Sequence, residues 1–125
     1  MKRTLGLAAL LAVGLASTHA MAEGDPAKGE KLFNRCKACH TVEAGGTDRQ
    51  GPNLHGVFGR KAGTKEGYNY SKAMANADVV WSEETIDKYI ADPKAFIPNN
   101  KMIFVGIKNE AQRADLIAYL KQATK

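Results

Sequence analysis

The chain has 125 residues, with 18 Lys and Arg against 13 Asp and Glu, a formal net charge of +5. Its basic residues are interspersed with acidic ones, so the charge is too small and too mixed to indicate a nucleic-acid-binding protein. The two cysteines are too few for the disulfide framework that holds many small secreted domains together.

The first 22 residues have the pattern of a secretory signal peptide. A short basic start precedes an apolar stretch at residues 5–16, and small residues ending in Ala20-Met21-Ala22 follow it. The apolar stretch is shorter than the roughly 20 residues of a membrane-spanning helix, and an uncleaved anchor is the alternative. We therefore expect residues 1–22 to be removed by cleavage after Ala22, or as second choice after Ala20. Residues 23–125 then form a single exported domain.

Capping signals predict one helix at the start of this domain and another further along. The first begins at Asp25, with Pro26 at the first helical position, where its missing N–H has no cost, and runs toward Cys36. The second begins at Ser82 and ends at Pro93, and apolar side chains recur between these residues with helical spacing. Each helix is therefore expected to bury one apolar face.

The remaining chain consists of a last helix and long glycine-rich loops. The last helix opens at Asn109, with Gln112 at the capping-box spacing, and a short helical turn is expected within residues 71–77. The chain before Ser82 is rich in glycine and has no strand alternation of useful length. So much irregular chain in a small domain needs something to wrap around. We therefore predict an all-α fold whose long loops lie on a bound prosthetic group.

The residues Cys36-Lys37-Ala38-Cys39-His40 form the C-x-x-C-H signature of covalent c-type haem attachment. Two thiols about one helical turn apart can each add to a vinyl group, and the adjacent histidine then lies under the iron as an axial ligand. A zinc site would need four ligands, and the domain has no further cysteine and only one other histidine. A thioredoxin-like redox pair would need a strand–helix setting, which the sequence does not show. The motif therefore predicts one haem c bound through Cys36 and Cys39.

Three residues could close the other face of the iron: His55, Met74 and Met102. His55 stands between Leu54 and Gly56, as a surface turn residue would, and Met74 lies between two alanines, as a packing residue would. Met102 ends a polar loop and precedes two apolar residues that can fix its thioether in place, so residue chemistry favours Met102. Two protein ligands leave no open position on the iron, which indicates an electron carrier rather than an enzyme.

These segments together resemble the class I cytochromes c, and within that family the bacterial cytochromes c2. The resemblance runs from Gly24 to the last helix and rests on residues 36–42, 51–56, Trp81 and 97–104, in this order. It implies the small cytochrome c fold, in which the N- and C-terminal helices cross and the loops wrap around one covalent haem. Gly29 and Phe33 are then expected to meet Leu116 and Tyr119 at the crossing.

The resemblance also implies which residues support the iron. His40 and Met102 are the expected ligands. The carbonyl of Pro52 is expected to accept the free ring N–H of His40, since a metal-bound histidine needs a partner that fixes its orientation. The hydroxyl of Tyr89 is expected to hydrogen-bond the sulfur of Met102.

A second group of residues is implied around a haem propionate. Tyr70 and Trp81 are expected to donate to it, and Ser71 and Arg60 to help hold its charge. Buried Tyr and Trp need polar partners, so a propionate would serve both. Family members commonly carry an asparagine where this chain has Met74, and a methionine there cannot donate a hydrogen bond. The polar contacts on that side of the haem are therefore expected to differ.

The resemblance places five cations around the haem edge: Arg35, Arg49, Lys94, Lys101 and Lys108. Such a ring would steer the protein onto acidic docking sites of membrane redox complexes and keep the contact brief. The expected function is that of a periplasmic, monomeric electron carrier that is not embedded in the membrane. It would take electrons from a cytochrome bc complex to a terminal oxidase or a photosynthetic reaction centre. A haem peroxidase and a gas-binding haem sensor are the alternatives, and both would need an open iron face.

Overall fold

The computed structural model describes residues 23–125 and three isolated positions before them, Gly6, Ala9 and Gly14. The predicted signal peptide therefore lies, apart from those positions, outside the described residues, and so does its cleavage site. In chain order, the helices described are α1 (Pro26–Phe33), α2 (Lys72–Ala75), α3 (Glu83–Ala91), α4 (Pro93–Phe96) and α5 (Glu110–Ala123). Within residues 23–125 the only β pairing is an isolated antiparallel bridge between Lys61 and Val80. The all-α prediction is confirmed.

The helices begin at the capping residues that the sequence indicates. The side chain of Asp25 accepts a hydrogen bond from the backbone N–H of Ala27 at 2.9 Å. Asn109 accepts one from Gln112 at 3.0 Å. The reciprocal capping box forms at α3, where Ser82 and Thr85 each accept the other's backbone N–H. These bonds satisfy amide groups that have no partner within a helix.

The chain leaves α1 earlier than expected but continues in hydrogen-bonded turns to the C-x-x-C-H motif. The regular helix ends at Phe33. Beyond it, the N–H of Cys36 donates to the Phe33 carbonyl at 2.8 Å, and the N–H of His40 donates to the Cys36 carbonyl at 2.9 Å. Hydrogen-bonded turns therefore connect the motif directly to the first helix.

The short helix α4 is one that our sequence analysis does not predict. Pro93 ends α3 as expected, but it also occupies the first position of α4, and the Asp92 side chain accepts from the Ala95 N–H at 3.3 Å. This is the same Asp-Pro start that identifies α1. The signal was therefore present in the sequence.

Helices α1 and α5 cross in close contact. A Cβ atom added to Gly29 would lie 1.9 Å from the carbonyl oxygen of Asp115 and 2.8 Å from the Cβ of Tyr119. The rings of Phe33 and Tyr119 pack with their centroids 5.4 Å apart, and Leu116 is buried beside them. The backbone N–H of Asp25 donates to the Asp115 carboxylate at 2.7 Å. The predicted crossing of the terminal helices is confirmed.

The core extends from this crossing to α3 and to the chain on either side of it, through Trp81, Ile86, Ile97 and Ile107. Among the described residues, no helix has both the length and the apolar character needed to span a bilayer.

Candidate cofactor site

An apolar cavity lies between the helices and the long loops, and all ten predicted site residues line it: Cys36, Cys39, His40, Pro52, Arg60, Tyr70, Ser71, Trp81, Tyr89 and Met102. Met74 lines it as well. His55 does not appear among the described lining residues, and its ring hydrogen-bonds the Val42 carbonyl at 3.3 Å, as a turn residue would. The fold thus brings together side chains from distant parts of the sequence.

The two cysteines lie at one side of this cavity and are not joined to each other by a disulfide. A turn holds them together, in which the Cys39 N–H donates to the Cys36 carbonyl at 3.1 Å. Burial raises the pKa of the Cys36 thiol to about 11, so this group is protonated at neutral pH. Two adjacent thiols facing an apolar cavity suit the attachment of a large apolar group by thioether bonds.

His40 is held in one orientation with one ring nitrogen available. Its Nδ1 lies 2.7 Å from the Pro52 carbonyl oxygen, which can only accept, so Nδ1 carries the proton and donates. The Nε2 atom therefore keeps its lone pair for a metal. Burial lowers the pKa of His40, which favours the neutral form that binds metals.

Gly51 makes this orientation possible. A Cβ atom added there would lie 2.4 Å from Cε1 of His40 and 2.8 Å from both ring nitrogens. The imidazole therefore stacks directly against the glycine backbone. Any other residue at this position would displace the ring.

Met102 is supported by a residue that our sequence analysis misses, Asn100. The Oδ1 atom of Asn100 accepts the backbone N–H of Met102 at 2.9 Å, and its Nδ2 donates to the carbonyls of Pro93 and Ile97. The hydroxyl of Tyr89 lies 3.8 Å from the Met102 sulfur and 3.4 Å from Asn100 Oδ1. The expected contact between Tyr89 and Met102 is thus present, and Asn100 fixes the loop that carries the thioether.

The four residues expected at a propionate lie together at the cavity, but three of them also contact the backbone. Arg60 donates to the His55 carbonyl at 3.1 Å, and the Ser71 hydroxyl accepts the Met74 N–H at 3.1 Å. The Tyr70 hydroxyl accepts the Lys65 N–H at 3.3 Å, and Trp81 packs on the Tyr89 ring with a centroid distance of 5.1 Å. Their propionate role stays a prediction.

The five predicted docking cations are all exposed: Arg35, Arg49, Lys94, Lys101 and Lys108. Three of them also bond to neighbouring backbone. Arg49 donates to the Lys37 carbonyl and Lys108 to the Ala91 carbonyl, while Lys101 donates to the Asn69 carbonyl and lies over the Tyr68 ring. Arg35 and Lys101 also line the cavity. Their docking role stays a prediction.

These donors fit a covalently attached haem. Two thiols stand next to a histidine whose free nitrogen is Nε2, and a thioether from a distant loop lines the same apolar cavity. Imidazole and thioether are known axial ligands of haem iron. The residues present therefore match the group that the C-x-x-C-H motif indicates.

Comparisons with known proteins agree with this chemistry. The family model described as Cytochrome c matches residues 26–124. The chain is 53% identical over 102 residues to cytochrome c of Ginkgo biloba, covering 81% of this chain and 90% of the relative. It is 55% identical over 102 residues to cytochrome c of Chlamydomonas reinhardtii, with 81% and 91% covered. For cytochrome c of Theileria annulata the identity is 53% over 103 residues, with 82% and 89% covered. These eukaryotic relatives support the broad family and do not single out the bacterial cytochromes c2.

Proposed function

The chain belongs to the cytochrome c family, and from this premise we propose that it is a soluble periplasmic electron carrier of the cytochrome c2 kind. The family carries one covalent haem c and transfers electrons rather than catalysing a reaction. The chain is therefore a haem-containing electron carrier and not an enzyme. The location, the partners and the roles of individual residues are the parts that we propose.

We assign Nε2 of His40 and Sδ of Met102 as the two protein ligands of the iron. When bound, the haem supplies an iron that takes up and releases one electron. The Pro52 carbonyl holds the His40 ring, and Asn100 and Tyr89 hold the Met102 loop. A thioether ligand raises the reduction potential, and two ligands exclude oxygen and peroxide from the iron. The observation that carries this proposal is that His40 and Met102 line one cavity.

We assign Arg60, Tyr70, Ser71 and Trp81 to a haem propionate. All four line the cavity on the loops that follow the His40 segment. A cation beside hydroxyl and indole donors suits a buried carboxylate, because a buried charge needs both a counter-charge and hydrogen bonds.

We further propose that the carrier takes electrons from a cytochrome bc complex and passes them to a terminal oxidase or a photosynthetic reaction centre. The support is the apolar segment at residues 5–16, which suits export, and the exposed cations Arg35, Arg49, Lys94, Lys101 and Lys108. Brief electrostatic docking through small surfaces is typical of redox partners.

Absorption spectroscopy of two methionine variants tests the ligand assignment. The oxidised native protein is expected to show the weak far-red band of an iron–methionine bond. Met102→Ala is expected to abolish this band, and Met74→Ala, which removes a methionine from the same cavity lining, is expected to keep it. Loss of the band in Met74→Ala with retention in Met102→Ala would overturn the assignment. Rapid peroxide turnover by the native protein would overturn the carrier function.

A further inference from the structure

The peptide group between Pro52 and Asn53 is hydrogen-bonded at both of its ends. Its carbonyl accepts the Nδ1 proton of His40 at 2.7 Å. Its N–H donates to the carboxylate of Asp48, also at 2.7 Å. A carboxylate, a peptide and an imidazole therefore form one continuous hydrogen-bonded chain that ends at the proposed iron ligand.

This peptide is held firmly in place by the Asn53 side chain. Asn53 is 4% exposed, and its Nδ2 donates to the Thr41 hydroxyl at 2.7 Å and to the Glu43 carbonyl at 2.9 Å. Its Oδ1 accepts the N–H of His55 at 3.0 Å. Because the Asn53 side chain is saturated with partners, the peptide N–H stays directed at Asp48.

Lys65 completes the arrangement from another loop. Its Nζ lies 2.9 Å from Oδ1 and 3.0 Å from Oδ2 of Asp48, and both side chains are 24% exposed. The bond from the Asn53 N–H, together with Lys65, holds the pKa of the Asp48 carboxyl below its usual range. Asp48 therefore carries a full negative charge at neutral pH.

We propose that Asp48 is a positioning residue that increases the electron-donating strength of His40 through the Pro52–Asn53 peptide, and that Lys65 moderates this effect. A negative charge at the peptide N–H polarises the peptide and makes its carbonyl oxygen more negative. A more negative acceptor strengthens the hydrogen bond from Nδ1 and makes the imidazole a better ligand. A better donor stabilises the more highly charged oxidised iron, so the carboxylate lowers the reduction potential. The inference rests on the proposed function, because it takes His40 as the ligand.

The test measures the midpoint potential of the haem-containing protein and the NMR resonance of the His40 Nδ1 proton in three variants. Asp48→Asn keeps an oxygen that can accept from Asn53 but removes the charge. Lys65→Gln removes the moderating cation. Asp87→Asn is the matched control, because Asp87 is 21% exposed and its carboxylate pairs with Arg113 at 2.7 Å. These two residues lie on α3 and α5, far in sequence from the Pro52–Asn53 peptide.

Asp48→Asn is expected to raise the midpoint potential. At a fixed applied potential, the ferric-to-ferrous ratio is expected to change about threefold, which corresponds to ~28 mV at 59 mV per tenfold change. In this variant, the NMR resonance of the His40 Nδ1 proton is expected to shift in the direction that indicates a weaker hydrogen bond. Lys65→Gln is expected to lower the midpoint potential. Asp87→Asn is expected to change the midpoint potential and the His40 Nδ1 proton resonance by much less than Asp48→Asn does. The Asp48→Asn shift is expected to persist at high salt, whereas a charge acting through solvent would be screened.

Equal potential shifts in Asp48→Asn and Asp87→Asn would overturn the inference, and so would a shift without movement of the His40 proton. If Asp48→Asn does not fold, Lys65→Gln decides, because it keeps the bond between Asp48 and Asn53, and an unchanged potential would overturn the inference. An intact far-red band in these variants with no potential shift would refute only this inference. Absence of that band in the native protein would refute the proposed function.

Discussion

The ring of His40 has a close neighbour on two sides. The Pro52 carbonyl fixes the direction of its Nδ1, and the backbone of Gly51 lies against the ring, with no space for a Cβ atom. The hydrogen bond fixes the position of Nδ1, and the contact with the Gly51 backbone fixes the plane of the His40 ring. The lone pair of Nε2 therefore points in one direction. At the scale of single residues, the site is therefore preorganised by the chain itself.

A pH-dependent loss of stability is expected from Asp48. Its pKa is lower in the folded protein than in the unfolded chain, first through the Asn53 N–H and then through Lys65. The unfolded chain therefore binds the proton more readily, and acid favours unfolding. The stabilisation by Asp48 is fully present above the unfolded carboxyl pKa of about 3.9 and is lost as pH falls through the lower folded value.

Urea unfolding of the native protein and of Asp48→Asn at pH 7 and at about pH 3 measures this. The native protein is expected to be the more stable of the two at pH 7, and the difference is expected to shrink in acid. A difference of the same size at both pH values would refute the prediction.

Asn100 shows what sequence reasoning misses at this scale. Its role depends on the carbonyls of Pro93 and Ile97, to which its amide donates, and on the backbone of Met102. Cysteine and histidine spacing indicates chemistry directly, because that chemistry needs those residue types. An asparagine in a polar loop has no such signature until the loop is folded.

Among the elements, the crossing of α1 and α5 depends on one residue without a side chain. Gly29 lets the helices approach until its Cα lies against the Asp115 carbonyl. Glycine is unfavourable inside a helix by roughly 1 kcal/mol relative to alanine. Its presence in α1 is therefore explained by packing rather than by helix propensity.

Gly29→Ala is expected to destabilise the protein by about 2 kcal/mol or more, in spite of the better helix propensity of alanine, because overpacking forces the helices apart. The exposed neighbour Lys28 is the control, and Lys28→Ala is expected to change the stability by less than about 0.5 kcal/mol. Urea unfolding of the haem-containing protein measures both free energies. Equal stability of the two variants would show that the helices can separate without cost.

On the scale of the whole molecule, the core and the cofactor cavity share their residues. Within residues 23–125, 11 hydrophobic residues are buried, and seven of these also line the cavity: Phe33, Val57, Trp81, Ile86, Tyr89, Leu116 and Leu120. The haem therefore completes the core. A domain of this size buries a smaller fraction of its surface on folding than a large domain does, so such a group adds to a limited core.

Removal of the haem is expected to unfold the protein. Without the haem, the apolar side chains that line the cavity would face water, and the remaining core would be too small to keep the domain folded. Protein produced without haem attachment is expected to lose most of its far-ultraviolet helical signal and to be digested rapidly by protease. The haem-containing protein is the control. A stable helical apoprotein would contradict the view that the haem completes the core.

The charge of the whole molecule predicts salt-dependent electron transfer. Reoxidation of the reduced protein by membranes that contain a candidate oxidase is expected to slow at high salt, because ions would screen the proposed docking cations. Lys94→Gln is expected to slow reoxidation at low salt, whereas Lys28→Gln, on α1, is expected to leave it nearly unchanged. Rates independent of ionic strength, or equal effects of the two substitutions, would exclude docking through this cation ring.

The sequence by itself determined the haem attachment and the starts of the main helices, and it predicts Met102 as the second protein ligand of the iron. These features depend on local spacing and on the chemistry of single residue types, so they can be predicted from the sequence before the fold is known. Only the tertiary structure decided that Asn100 supports the Met102 loop and that Gly51 orients the His40 ring. The same holds for the hydrogen bonds that Asp48 and His40 make to one peptide group, between Pro52 and Asn53. Each of these depends on where backbone groups from separate segments meet, and residue identity alone does not encode such positions.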